Sequence, residues 1–251
     1  MVIWKVVALL LLGAFLTLAA LFGMAWIDER ASRDLYALKR GCRDPSGNPD
    51  DIIVKCTELI ERYPRSRAEG YSGRGMAYFR KGDCDRAILE YSQAINLEPA
   101  DPFHHSWRAS AYERKGDTDR AMEDYDQSIR VAPDRAHYYR SRGRLRFDKR
   151  DFEGALADFD RAISLEPYVE YTYYLRADTH ASMRNWDGVI ADSDAIIQRK
   201  PRAAAAYSQR GNAYAEKRDF ERAQADWRKA LAVDPSLAGP KKNLKRIGVD
   251  P

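Results

Sequence analysis

Cysteine and histidine are scarce in this chain, with three and four copies among 251 residues. The histidines are His104, His105, His137 and His180. None of them is spaced with a cysteine in the way that the ligands of a structural zinc ion usually are. The sequence therefore predicts no metal site of this kind and no cofactor.

The chain also has little excess of either charge and no recognisable catalytic motif. It carries 42 lysines and arginines against 38 aspartates and glutamates, for a formal net charge of +4. A balance this close to neutral gives no electrostatic basis for binding nucleic acid. A glycine-rich phosphate loop and a nucleophile elbow are both missing, and acidic pairs such as Asp192 and Asp194 are typical of solvated helix faces. We therefore expect no enzymatic activity.

What the sequence does contain is a period of 34 residues. The period is marked by Pro99, Pro133, Pro167, Pro201 and Pro235. Small residues recur in the same register at Gly75, Ala109, Gly143, Ala177 and Gly211, and bulky ones at Tyr91, Tyr125, Phe159 and Trp227. Small residues at fixed places let two successive helices pack closely while the rings fill the space beside them, so the pattern predicts helical hairpins. Ser193 replaces the ring in the fourth unit, which predicts a gap to be filled by Trp186 or by a partner.

A long apolar run without a charge occupies residues 6–27, between Lys5 and three charged residues at 28–30. At about 1.5 Å per residue, a helix of this length spans a hydrocarbon core of roughly 30 Å. The run favours an uncleaved single-pass membrane anchor that leaves the rest of the chain on the periplasmic or extracellular side. The alternative is a secretory signal that is cleaved before Trp26.

The 34-residue pattern resembles the tetratricopeptide repeat, a helix-turn-helix unit with small, aromatic and proline positions in this order. Five complete units cover 68–101, 102–135, 136–169, 170–203 and 204–237. The resemblance implies an all-α fold, a right-handed superhelical solenoid of tetratricopeptide-like helical hairpins, here with an N-terminal transmembrane helix. We expect an anchor or signal at 1–27, a juxtamembrane segment and incomplete repeat at 28–67, the five repeats at 68–237 and a C-terminal capping helix at 238–251.

An arginine precedes the first small position of every unit, and an acidic residue follows that arginine sixteen positions later. The arginines are Arg74, Arg108, Arg142, Arg176 and Arg210, and the acids are Glu90, Asp124, Asp158, Asp192 and Asp226. The two positions fall on the two helices of a hairpin, so they predict a partly buried ladder of charge pairs within or between units. Arginine suits this place because its planar guanidinium meets a carboxylate with two hydrogen bonds. A row of arginines that binds phosphate is disfavoured, because the acids neutralise them.

Cys42 and Cys56 lie before the first complete unit, with 13 residues between them. In an oxidising compartment a disulfide here would stabilise the fold by about 3 kcal/mol, whereas in the cytosol both would be thiols. Similarity to bacterial envelope proteins that carry a paired cysteine ahead of these repeats implies the bridge. Cys84 is left over, either as a tolerated thiol or as a link between two chains.

In the family that the repeats resemble, the first helices of successive units line a concave groove that binds a peptide. Carried over by position, the groove candidates are Met76, Phe79, Phe103, Ser106, Ser110, His137, Arg140, Arg144, Phe147, Tyr171, Tyr174, Asp178, Ser208 and Asn212. Arg140 and Arg144 lie four residues apart beside aromatic side chains, which suits an extended peptide with acidic groups. Long arginines and tyrosines also cover solenoid surfaces without any ligand.

Together these features predict a non-enzymatic scaffold for protein-protein interaction, tethered to the membrane of a bacterial envelope and binding a partner peptide or protein in the groove. Two alternatives remain open. The solenoid would assemble with itself as a homo-oligomer, or it would act as a secreted adaptor if the N-terminus is cleaved.

Overall fold

The computed structural model describes residues 31–250, and within that range every regular element is helical. The α-helices are α1 (31–42), α2 (Pro49–Arg62), α3 (Arg67–Arg80), α4 (Cys84–Leu97), α5 (Pro102–Lys115), α6 (Thr118–Val131), α7 (Ala136–Asp148), α8 (Phe152–Leu165), α9 (Glu170–Ser182), α10 (Trp186–Arg199), α11 (Ala204–Glu216), α12 (Phe220–Val233) and α13 (Ala238–Arg246). A 3-10 turn at Pro64–Ser66 joins α2 to α3. The all-α prediction is confirmed for this part of the chain. It divides into two compact units, one ending at Asp117 and the other beginning at Thr118.

The period of the sequence determines where the helices end. Helices α4, α6, α8, α10 and α12 each stop two residues before one of the five periodic prolines, because proline lacks a backbone N–H and disfavours helical geometry in the residue before it. The turns after α3, α5, α7, α9 and α11 each contain one residue with positive φ. These residues are Gly82, Gly116, Arg150, Arg184 and Arg218. Glycine adopts this conformation freely, whereas each arginine there costs on the order of 1 kcal/mol.

In the first unit, a disulfide between Cys42 and Cys56 joins the end of α1 to α2. Both cysteines are completely buried in an apolar cluster. The other buried members of this cluster are Leu38, Ile52, Leu59 and Ala77. Gly73 of α3 lies directly against the bridge, since a Cβ at this position would be 2.8 Å from both Cys56 Sγ and the Cys42 carbonyl oxygen. The missing side chain is what lets α3 approach the disulfide.

In the second unit, each helix from α6 to α13 packs against the next. Small residues on the first helix of a hairpin face rings on the second: a Cβ on Gly143 would lie 2.8 Å from the Phe159 ring, and one on Gly211 would lie 2.8 Å from Trp227. Helix α13 packs on the last hairpin through Leu244, which is buried against Trp227. The core of this unit is therefore a continuous row of helix-helix contacts.

The predicted membrane anchor at residues 6–27 lies outside the described residues. Among residues 31–250, no helix combines the length and the apolar composition that crossing a bilayer requires.

Candidate functional site

The repeated arginines and acids lie against one another as partly buried ion pairs. Four pairs are in contact within a hairpin, namely Arg74–Glu90, Arg142–Asp158, Arg176–Asp192 and Arg210–Asp226. Arg142 donates from Nη2 and Nε to the two oxygens of Asp158, at 2.6 and 2.9 Å. Burial alone would lower the pKa of Arg142, but hydrogen bonds to Asp158 and Asp126 outweigh it and raise that pKa. The carboxylate of Asp158 is only 2% exposed, so it depends on these donors for its charge to be tolerated.

The same arginines also reach back to the preceding hairpin, through acceptors that the sequence analysis did not predict. The additional pairs are Arg142–Asp126, Arg176–Asp160 and Arg210–Asp194, each sixteen residues apart. In the first unit, Arg74 donates to Thr57 Oγ1 at 3.0 Å, and Arg108 donates to Ser92 Oγ at 2.9 Å. The fifth predicted pair is Arg108 with Asp124. Arg108 belongs to the first of the two compact units and Asp124 to the second. Arg142, Arg176 and Arg210 thus each bind acids on two successive hairpins.

Four of the predicted groove residues come together in the second unit. Tyr174 and Asp178 of α9 and Asn212 of α11 line a cavity of about 430 Å³. Ser208, another groove candidate, also lines it. The sequence analysis did not assign the remaining polar and large apolar lining residues, Trp186, Gln209 and Leu237, to a groove.

Hydrogen-bond acceptors of Asp178, Gln209 and Asn212 line part of this cavity. Gln209 Nε2 donates to Asp178 Oδ1 at 2.7 Å, while the buried Gln209 Oε1 has no hydrogen-bond partner. Neighbouring groups partly desolvate the Asp178 carboxylate, which raises its pKa despite the bond from Gln209. Asn212 Oδ1 already accepts from Trp227 Nε1 and from Asn243 Nδ2, both at 2.9 Å. The cavity can therefore accept an N–H group next to an apolar wall.

The other predicted groove residues do not line this cavity. His137, Arg140, Arg144 and Phe147 lie on α7, and Tyr171 lies at the start of α9 with 57% of its surface exposed. Arg140 is ion-paired with Glu166 at 2.8 Å, and Phe147 packs against the Phe152 ring at 5.7 Å between centroids. Burial, followed by the charge of Arg140, lowers the pKa of His137. The cationic surface predicted on α7 is thus partly neutralised by the chain itself.

Trp186 is one of the two fillers that the sequence predicts for the gap left by Ser193. It contacts an apolar cluster built from Ala177, Val189 and Ala213, and it forms one wall of the cavity. Ser193 is completely buried, and its hydroxyl has no hydrogen-bond partner.

A second cavity, of about 530 Å³, lies in the first unit. The groove candidates Met76 and Phe103 line it together with His104 and Trp107. Phe103 and Trp107 stack in a tilted arrangement, with ring centroids 6.0 Å apart. Each of the two compact units therefore carries a concave site with aromatic walls, to which the first helices of its hairpins contribute.

Comparison with known proteins places these hairpins in one repeat family. Models described as tetratricopeptide repeat or TPR repeat match residues 75–116, 108–182 and 204–237. Tetratricopeptide repeat protein 4 of Mus musculus is 30% identical over 82 residues, which is 31% of this chain and 20% of the mouse protein. The match thus spans about a fifth of that curated relative.

Solved structures share the same architecture. The crystal structure of MamA is 25% identical with a TM-score of 0.61, covering 64% of this chain and 94% of MamA. That of YrrB, a TPR protein with an unusual peptide-binding site, is 19% identical with a TM-score of 0.66, covering 76% of this chain and 97% of YrrB. The chain therefore contains tetratricopeptide repeats over residues 75–182 and 204–237.

Proposed function

We propose that this chain is a non-enzymatic scaffold that binds an extended peptide segment of another protein in the cavity between α9 and α11. One observation carries the proposal: residues of two successive first helices converge on a concave site whose buried Gln209 Oε1 has no hydrogen-bond partner. A buried acceptor without a donor costs free energy, and a bound N–H group would remove that cost. Extended peptides offer such groups along their backbone.

The chemistry of the cavity also indicates what the peptide presents. Asp178 and Gln209 offer acceptors, while Tyr174, Trp186 and Leu237 provide apolar surface. A lysine, an arginine or a backbone amide flanked by an apolar side chain matches this lining. The acidic peptide expected from Arg140 and Arg144 fits less well, because Arg140 already binds Glu166.

We further propose that residues 6–27 tether the scaffold to a membrane, with the repeats on the periplasmic or extracellular side of a bacterial envelope. The charge-free run of 22 residues supports the tether. The buried Cys42–Cys56 bridge supports an oxidising compartment, because disulfides persist there and are rare in the cytosol.

Cys84 is partly exposed and unbridged. In spheroplasts, a membrane-impermeant maleimide should label Cys84 without lysis; labelling only after lysis would refute this topology.

Photo-crosslinking in the host cells tests the binding site. A crosslinking residue at Tyr174 of the full-length protein should give an adduct that the same residue at Gln198, exposed on α10, does not give. Ala205→Trp should fill the cavity and abolish the adduct, because Ala205 lines it. Ala225→Trp is the matched control, since Ala225 is exposed on α12, a second helix.

The alternatives give different results in the same experiment. Adducts that contain only this chain would support self-assembly, and concentration-dependent light scattering would agree with them. Background at both positions would refute the cavity as a binding site. An intact mass that lacks residues 1–25 would replace the tethered scaffold with a secreted adaptor.

A further inference from the structure

Three side chains with metal-ligand chemistry meet in the loop between α4 and α5. Glu98 directly follows α4, Asp101 caps the N-terminus of α5, and His104 lies in the first turn of α5. The loop is tight, since the Asp101 N–H donates to the Glu98 carbonyl at 3.2 Å. Asp101 Oδ1 accepts the capping bond from the Phe103 N–H at 2.8 Å, which leaves Oδ2 for other partners. A span of seven residues thus positions two carboxylates and an imidazole.

His104 is buried, and one of its nitrogens has no hydrogen bond. The residue is 4% exposed, and its Nδ1 lies 2.8 Å from Ser72 Oγ. Its Nε2 makes no hydrogen bond, yet it lies 3.5 Å from Glu98 Oε2 and 3.7 Å from Asp101 Oδ2. A buried nitrogen that makes no hydrogen bond and faces two carboxylate oxygens at these distances calls for an explanation.

The repeat itself does not require a histidine here. The positions 34, 68 and 102 residues later hold Tyr138, Thr172 and Ala206, all completely buried on equivalent helices. In none of the three repeats that contain these residues are both positions equivalent to Glu98 and Asp101 acidic. The combination of Glu98, Asp101 and His104 is therefore an addition to the repeat at this one place.

We propose that Glu98, Asp101 and His104 bind a divalent transition-metal ion such as Zn²⁺. Their nearest ligand atoms all lie within 4.8 Å of one another. A tetrahedral ion with bonds of about 2.1 Å separates its ligand atoms by roughly 3.4 Å, close to the distances from Nε2. One imidazole and two carboxylates are a ligand set that zinc and its first-row neighbours accept.

The surroundings of the site suit an ion that is reached from solvent. The side chains of Glu98 and Asp101 are 54% and 33% exposed, so an ion can enter from the outside. Ser72 holds the opposite nitrogen of His104 and orients the ring, as partners behind metal ligands commonly do. The three residues also line the aromatic cavity of the first unit, so remaining coordination positions face water or a bound partner.

Zinc titration of the metal-free, full-length protein without a histidine tag tests the site. Isothermal calorimetry should show one saturable equivalent of Zn²⁺, and Co²⁺ should give a d–d absorption band that Zn²⁺ displaces. Glu98→Gln with Asp101→Asn should weaken binding by at least about tenfold while the asparagine preserves the helix cap. His104→Thr, which installs the residue of the equivalent position at Thr172, should do the same.

His105→Tyr is the matched control. His105 Nε2 contacts the Pro99 carbonyl, and the tyrosines at the equivalent positions, such as Tyr139, donate to the corresponding proline carbonyl. This variant removes the neighbouring buried histidine and should retain the affinity. No saturable binding by the wild type would overturn the proposal, and so would affinity unchanged in both ligand variants when circular dichroism shows that they are folded.

Discussion

Replacing Arg176 with methionine should destabilise the second unit more than replacing Arg142. Both arginines hold a buried acid of their own hairpin and a more exposed acid of the preceding one. Methionine keeps much of the apolar stem and removes only the charge and the donors. The difference between the two sites lies in what remains beside the buried carboxylate.

At the Arg142 site, Arg146 Nη1 donates to Asp158 at 2.9 Å, and this cation remains beside the carboxylate in the variant. At the Arg176 site, the corresponding residue is His180, whose pKa is lowered mainly by burial, so it does not supply the permanent positive charge that an arginine does. Asp192 is 1% exposed and would remain as a buried charge without a cation. Breaking such a pair costs about 3–5 kcal/mol, whereas losing hydrogen bonds from a carboxylate that keeps one arginine costs about 1–3 kcal/mol.

Equilibrium urea unfolding of the two variants, followed by circular dichroism, measures both losses in the same unit of the same protein. Arg176→Met with Asp192→Asn should recover part of the stability, because the second change removes the orphaned charge. Equal losses in the two single variants, or a larger loss for Arg142→Met, would refute the role assigned to Arg146.

Three further outcomes follow from the contacts described above. Replacing both Cys42 and Cys56 with alanine should lower the free energy of unfolding, measured in urea, by about 3 kcal/mol. Adding a reductant to this variant should not lower its free energy of unfolding any further. Gly73→Ala should destabilise by about 1–3 kcal/mol because of the clash with the bridge, whereas Gly239→Ala, with nothing within 4 Å, should be neutral or slightly stabilising in the same assay. Asp178→Asn should stabilise the chain at pH 7, because the raised folded-state pKa of Asp178 means that its charge opposes folding. That gain should shrink as the pH falls through the raised folded-state pKa of Asp178 and vanish below its unfolded-state pKa, and a gain that persists there would contradict the assignment.

The repeat period predicted most of the backbone in the range that the structure describes. Helix ends follow the prolines, and small residues such as Gly143 meet rings such as Phe159 as the pattern indicates. These features depend on local geometry that recurs every 34 residues, so a single sequence suffices to find them. The arginine contacts to preceding hairpins were missed although Asp126, Asp160 and Asp194 share the period. An acid two positions after another acid has the appearance of a solvated helix face.

The site was less predictable than the fold because side-chain partners decide it. Arg140 has the position of a groove residue, but its pairing with Glu166 depends on how α7 lies against the end of α8. Gln209 and Leu237 follow no pattern of the repeat and enter the cavity through packing of α11 and the segment before α13. The unsatisfied nitrogen of His104 is likewise invisible in sequence, since histidines in buried helices are usually satisfied.

The contacts of the arginines to two successive hairpins make the repeats interchangeable. Arg142, Arg176 and Arg210 each bind an acid sixteen residues before and another sixteen residues after. Deleting residues 136–169 would bring Arg176 to the acceptor Asp126 in place of Asp160, without leaving a buried charge alone. Duplicating the same segment would add one more arginine together with one acid sixteen residues before it and one sixteen residues after it. Whole repeats of this chain can thus be lost or gained in evolution without an electrostatic defect at the junction, and the number of repeats is free to change.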